Sequence, residues 1–191
     1  LVSSQSASSA RSAAGSFNRG IVWAEFEGIY AADVDGGGVR QLAHISLVDD
    51  HGDPAWSPSG DALAFWTRAS DSIELHLAKP SAGTLRMLKP KGRETSPRRP
   101  PRQQTYLEDP SWAPDGQQVA VSDGWTLVNS TIRVWSRRAG RLLRPVTAPG
   151  AARTDSEAAW SPDGRTIAFV RRAVNSNVEL GPPTIFLIRP D

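Results

Sequence analysis

The amino-acid sequence predicts an all-β protein. Short runs rich in β-branched and aromatic residues are separated by turn residues, and amphipathic helical spacing is weak throughout. The 15 prolines and 16 glycines among 191 residues interrupt the chain too often for long helices. In addition, one short segment occurs three times with the same skeleton. These observations favour a repeat protein made of small antiparallel sheets.

The repeated segment reads DPAWSPSGDALAFW, DPSWAPDGQQVAVS and EAAWSPDGRTIAFV. Each copy has an acidic residue three positions before a tryptophan and a glycine four positions after it. The proline between them fixes φ for a tight turn, and the glycine accepts the positive φ that closes the turn into a hairpin. The structural residues of the repeat are therefore Asp53, Trp56, Gly60, Asp109, Trp112, Gly116, Glu157, Trp160 and Gly164.

A strand is predicted directly after each turn. In each of these strands two large apolar residues flank an alanine, as in Leu63-Ala64-Phe65, so one face is bulky and the other lets a neighbouring sheet approach closely. A further β-rich run follows in every copy: IELHLAKP, TIRVWSRR and TIFLIRP. The first two copies continue into a fourth run, TLRML and RLLRPVT.

The residues before the first copy supply three more strand candidates. These are GIVWAEF, GIYAADV and VRQLA, and a glycine-rich turn separates the last two. Residues 1–16 are rich in serine and alanine and contain no aromatic residue, so we expect a flexible leader there.

Four short strands per unit, with tryptophans 56 and 48 residues apart, are typical of β-propeller blades. We expect a partial blade at 17–45, full blades at 53–90 and 109–148, and a partial blade at 157–191. The chain thus contains about three to four four-stranded blades. The repeated tryptophan is predicted to fill the wedge between consecutive blades.

A propeller hides its sheet edges by closing into a ring of about four to eight blades. Four arrangements are compatible with this sequence. The chain is part of a larger propeller, or it closes a four-bladed ring with its serine-rich N-terminus. Alternatively, two copies share one ring, or the blades form an open, capped arc.

The motifs DPAWSPSG, DPSWAPDG and EAAWSPDG, each followed by an apolar strand, resemble the WD-like repeat of TolB-type β-propellers. The resemblance covers nearly all of residues 20–191, although Ser59 replaces the usual turn aspartate. It implies a non-catalytic protein-interaction, sensor or scaffold module in the cell envelope or another extracytoplasmic location. It also implies an alternative: the propeller that gates substrate access in prolyl-oligopeptidase-type serine peptidases, whose catalytic domain lies outside this chain.

Motifs for catalysis are absent from the sequence. It contains no Gly-x-Ser-x-Gly nucleophile elbow, no phosphate-binding glycine loop, no His-Glu-x-x-His and no cysteine. We therefore predict that the chain is not an enzyme and binds no cofactor or metal. Two polar clusters, DDHGD from Asp49 and DVDGGG from Asp33, are interpreted as a solvated loop and a hairpin turn.

One segment, KPKGRETSPRRPPRQQ at 89–104, carries six basic residues, one glutamate and four prolines. Its positive charge suits the binding of an acidic protein surface, an anionic lipid or a nucleic acid. The alternative is a solvated insertion without a binding role. No aromatic residue lies among the basic positions, which disfavours nucleic acid. The expected partner is a protein, with self-association to close the ring as a second possibility and no membrane span in the chain. The candidate partner-binding residues are Lys91, Arg93, Arg98, Arg99 and Arg102.

Overall fold

The computed structural model describes most of the chain from Gly20 to Pro190. The described residues are 20–25, 27–44, 51–69, 72–81, 84–87, 106–124, 129–148, 150, 152–175, 177 and 179–190. The predicted leader at 1–16 and the basic segment at 89–104 lie outside them. Within this part of the chain, no helix is long and apolar enough to cross a membrane.

The described residues form four antiparallel sheets, which we call blades I to IV in chain order. Blade I contains β1 (Ile21–Glu25), β2 (Gly28–Ala32) and β3 (Arg40–His44). Blade II contains β4 (His51–Trp56), β5 (Leu63–Ala69), β6 (Ser72–Ser81) and β7 (Thr84–Met87). Blade III contains β8 (Tyr106–Trp112), β9 (Gln118–Gly124), β10 (Thr131–Ser136) and β11 (Arg141–Pro145). Blade IV contains β12 (Arg153–Trp160), β13 (Ile167–Ala173) and β14 (Thr184–Ile188).

Every blade is a meander in which neighbouring strands follow one another in sequence. The first strands of blades II, III and IV, namely β4, β8 and β12, pack side by side and are therefore the innermost strands. Among the described residues, blade I lacks this innermost strand and blade IV lacks the outermost one. The predicted all-β propeller architecture of three to four blades is confirmed.

Among the described residues, three apolar clusters join the blades, one between each consecutive pair. Blade I packs on blade II around Ile29 and Phe65, and blade II packs on blade III around Leu77 and Trp112. The third cluster joins blades III and IV around Ile132. The alternation along each second strand explains this arrangement, because successive side chains point to opposite faces and each face meets a different neighbour.

The turn after each innermost strand has the same geometry in all three copies. The glycines Gly60, Gly116 and Gly164 have φ of 69°, 68° and 71°, and each donates its N–H to the carbonyl three residues earlier at 2.9 Å. Consecutive turns also touch. A Cβ added to Gly164 would lie 3.1 Å from Cγ of Pro114 in the preceding copy, and one on Gly116 would lie 4.0 Å from Cδ of Pro58.

Candidate functional site

The acidic residues of the repeat share the same backbone conformation on the innermost strands. Asp53, Asp109 and Glu157 have φ of 48°, 53° and 55°, in the left-handed region that residues other than glycine rarely adopt. At each of them the pairing with the following strand shifts register, so each sits in a β-bulge. Because β4, β8 and β12 lie side by side, the three carboxylates form a row, which we call the acidic row.

The carboxylates of the acidic row are engaged by the protein itself. Asp53 Oδ2 accepts a hydrogen bond from Trp66 Nε1 at 2.6 Å within blade II. Asp109 Oδ2 accepts one from Ser122 Oγ at 3.2 Å and one from the backbone N–H of Glu157 at 3.1 Å. The second of these bonds crosses from blade III to blade IV, so Asp109 ties the two innermost strands together.

Burial raises the pKa of the Asp109 carboxyl above its ordinary value. The negative charges of Asp53 and Glu157 raise it further, whereas the hydrogen bond from the Glu157 N–H opposes the shift. Glu157 itself forms an ion pair with Arg172, with Oε1 and Nη1 3.1 Å apart. Among the described residues, the acidic row thus groups three carboxyl side chains, with the guanidinium of Arg172 at its blade IV end.

The repeated tryptophans lie at the blade junctions. Trp112 is 8% exposed in the cluster between blades II and III, and its indole Nε1 donates to the carbonyl oxygen of Ala55 in the preceding blade at 2.9 Å. Trp56 and Trp160 are half-buried against the other two clusters. Nε1 of Trp160 is buried without a hydrogen-bond partner among the described residues.

Two further ion pairs, not predicted from the sequence, join residues of separate motifs. Arg137 Nη2, just after β10, lies 2.8 Å from Asp61 Oδ2 in the turn of blade II. This contact holds the pKa of Asp61 well below its usual range. In blade IV, the fully buried Asp155 accepts two hydrogen bonds from Arg171 at 2.6 and 2.8 Å. For Asp155 and Arg171, opposite charge at paired positions of β12 and β13 was the available signal, whereas Asp61 and Arg137 lie in different blades and carry no such signal.

The described residues bring the repeat residues together in three rows, of acids, tryptophans and glycines. Among these described residues, no group of three or more His, Asp or Glu side chains is placed to hold a metal ion. The contacts of the acidic row join strands and blades, so its chemistry is architectural. The candidate partner-binding residues Lys91, Arg93, Arg98, Arg99 and Arg102 lie outside the described residues.

The connections between blades differ sharply in length. Six residues, 45–50, join blade I to blade II, and seven, 146–152, join blade III to blade IV. Eighteen residues, 88–105, join blade II to blade III. The eighteen residues include the basic segment at 89–104.

The fold agrees with that of solved β-propellers. A protein assigned as TolB from Agrobacterium tumefaciens is 19% identical with a TM-score of 0.62, over 90% of this chain and 54% of that one. TolB from Acinetobacter baumannii is also 19% identical with a TM-score of 0.60, over 92% of this chain and 42% of that one. A prolyl endopeptidase is 17% identical with a TM-score of 0.54, over 91% of this chain and 28% of that one. No family model and no curated protein matches the chain.

The sheets, their order and the repeated turn define the chain as a run of β-propeller blades. More particularly, its fold is that of the TolB-type propellers, as the sequence motif predicts. The chain spans about half the length of the first of these neighbours and less of the others.

Proposed function

We propose that this chain is a non-catalytic interaction module in which the basic segment at 89–104 docks an acidic surface of a partner protein. The observation that carries the proposal is the connection of eighteen residues between blades II and III, where the two comparable connections have six and seven. Connections on a rigid scaffold are the usual places for binding residues, since they vary without disturbing the blades.

Charge supports the assignment of this role to the connection. The chain has a net charge of only +2, yet six of its basic residues fall within 89–104 beside a single glutamate. The negative groups of the innermost strands are engaged in bonds within and between blades. A partner with an acidic surface is attracted to the basic segment over about one Debye length, roughly 8 Å at physiological ionic strength. The extracytoplasmic or envelope location implied by the TolB-type resemblance belongs to the same proposal.

The test is crosslinking in the native host with charge-reversed variants. The binding variant carries Arg98→Glu, Arg99→Glu and Arg102→Glu. The control variant reverses Arg138 and Arg141, which are exposed on the outer hairpin of blade III. We expect the binding variant to lose the partner proteins crosslinked to the unchanged chain and the control to keep them. If the binding variant keeps the same partners, the role of the basic segment is wrong.

A second candidate function rests on the structural similarity to the prolyl endopeptidase. In this alternative the blades are the part of a serine peptidase that limits access of substrates to a catalytic domain elsewhere. A fluorophosphonate probe, applied to the protein purified from its native host, separates the two proposals. Labelling of an active-site serine in the same polypeptide supports the peptidase, and the absence of labelling supports the interaction module.

A further inference from the structure

The last blade has an apolar face that the corresponding faces of blades II and III do not expose. It is formed by Ala168 and Val170 of β13 with Ile185 and Leu187 of β14, and we call it the trailing face of blade IV. Ile185 is 73% exposed and Leu187 is 71% exposed. Large apolar side chains are normally buried at such positions, so this patch indicates an interaction surface.

The strand registers identify the equivalent residues in the other blades. Leu187 pairs with Ala168 as Val134 pairs with Ala120 in blade III and as Leu77 pairs with Ala64 in blade II. Val134 and Leu77 are both 3% exposed, because the following blade covers them. The residues on the trailing face of blade IV are therefore equivalent to those that blades II and III bury against the blade that follows them.

The opposite end of the chain carries the matching surface. Ile21 and Trp23 of β1, with Tyr30 of β2, form what we call the leading face of blade I. Trp23 stacks on Tyr30 with ring centroids 5.8 Å apart. The same cross-strand positions hold the stacked pairs Phe65–His76 in blade II and Phe169–Phe186 in blade IV.

In blades II and IV these positions lie on the sheet face that packs against the preceding blade. Phe65 belongs to the cluster shared with blade I, and Phe169 belongs to the cluster shared with blade III. In blade I the same face is open among the described residues, and Ile21 there is 52% exposed. Among the described residues, blades I and IV thus present two complementary apolar surfaces.

We propose that the leading face of blade I in one copy of this chain covers the trailing face of blade IV in a second copy. The contact is head-to-tail, and it brings together apolar residues of two neighbouring strands from each blade, as between blades II and III. It lacks the innermost-strand tryptophan, since the described residues of blade I include no innermost strand. Two copies joined in this way at both ends form a ring of eight sheets, within the range of about four to eight blades that propellers use. The proposal is independent of the basic segment, whose variants leave both faces unchanged.

The experiment measures mass by sedimentation equilibrium for two single variants and their mixture. Leu187→Asp places a charge on the trailing face and Ile21→Asp places one on the leading face. Both side chains are exposed within one copy, so we expect each variant to stay folded and to melt cooperatively, at a lower temperature than the dimer of the unchanged chain. The control is Val34→Asp, at an apolar residue 69% exposed in the turn between β2 and β3.

We expect the unchanged chain and the control to be dimers and each single variant to associate at least about 100-fold more weakly. An equimolar mixture of the two variants restores a dimer, because one of its two junctions then combines an unchanged leading face with an unchanged trailing face. A monomeric unchanged chain overturns the proposal, since the trailing face is then not covered by a second copy. A dimer that survives Ile21→Asp but not Leu187→Asp also overturns it, since the two trailing faces then pair with each other.

Discussion

Replacement of Trp112 tests the packing between blades II and III most directly. Its ring is 8% exposed and lies among apolar residues of both blades, so Trp112→Ala removes the buried ring and leaves a cavity in the shared cluster. We expect a loss of about 3–5 kcal/mol in the free energy of unfolding. Urea denaturation of the purified chain, followed by circular dichroism, gives this value.

Phenylalanine variants separate the hydrogen bond from the ring. Trp112→Phe keeps an aromatic ring but removes the donor to the Ala55 carbonyl, leaving that oxygen facing an apolar side chain. Trp160→Phe removes an indole N–H that is buried without a partner among the described residues, and so loses no hydrogen bond. We expect Trp112→Phe to be more destabilising than Trp160→Phe by about 1–3 kcal/mol.

Alanine variants at both positions supply the control, because they measure how much each ring contributes through burial alone. The difference in unfolding free energy between the two phenylalanine variants is then compared with the difference between the two alanine variants. If Trp112→Ala unfolds at the same urea concentration as the unchanged chain, Trp112 does not fill the wedge between the blades. If the two phenylalanine variants are equally stable after this correction, the bond to Ala55 does not stabilise the junction.

Three further predictions concern single positions. Gly164→Ala costs about 1–2 kcal/mol more than Gly150→Ala in thermal melts, because both have positive φ but only Gly164 lies against a proline. Asp155→Asn costs about 2–4 kcal/mol in urea, since the guanidinium of Arg171 loses its charged partner, and a smaller loss than 1 kcal/mol contradicts this role. Burial raises the pKa of Asp109 in the folded state. Ionisation of its carboxyl group therefore opposes folding as pH rises through this raised pKa. Asp109→Asn is therefore stabilising at pH 7, by a margin that shrinks as pH falls toward about 4.

The sequence was sufficient for the strands, their order and the turns. The proline and glycine after each tryptophan determine backbone angles locally, so their positions fix the hairpins whatever surrounds them. The alternation of large and small residues after each turn likewise identifies two buried faces without knowledge of the neighbours. These features depend on residues close together in the chain.

The geometry of the acidic row does not follow from the local sequence. The spacing of Asp53 before Trp56 identifies it as part of the repeat, but its left-handed backbone and its bulge depend on pairing with β5. The bond from the Glu157 N–H to Asp109 joins residues 48 positions apart in neighbouring blades. Such contacts follow from how the sheets stack, which no local pattern in the sequence specifies.

The contact between the proline of one turn and the glycine of the next has a consequence for large rearrangements of the chain. Each repeat contributes its proline forward and its glycine backward, so no repeat completes the contact alone. Removal of one entire repeat, residues 109–156, would bring Pro58 opposite Gly164 and recreate a contact of the same kind. Duplication of a repeat would likewise add one matched pair. A gene that gains or loses whole repeats therefore keeps every such contact intact. In contrast, a side chain introduced at one of these glycines would press on the proline of the neighbouring blade.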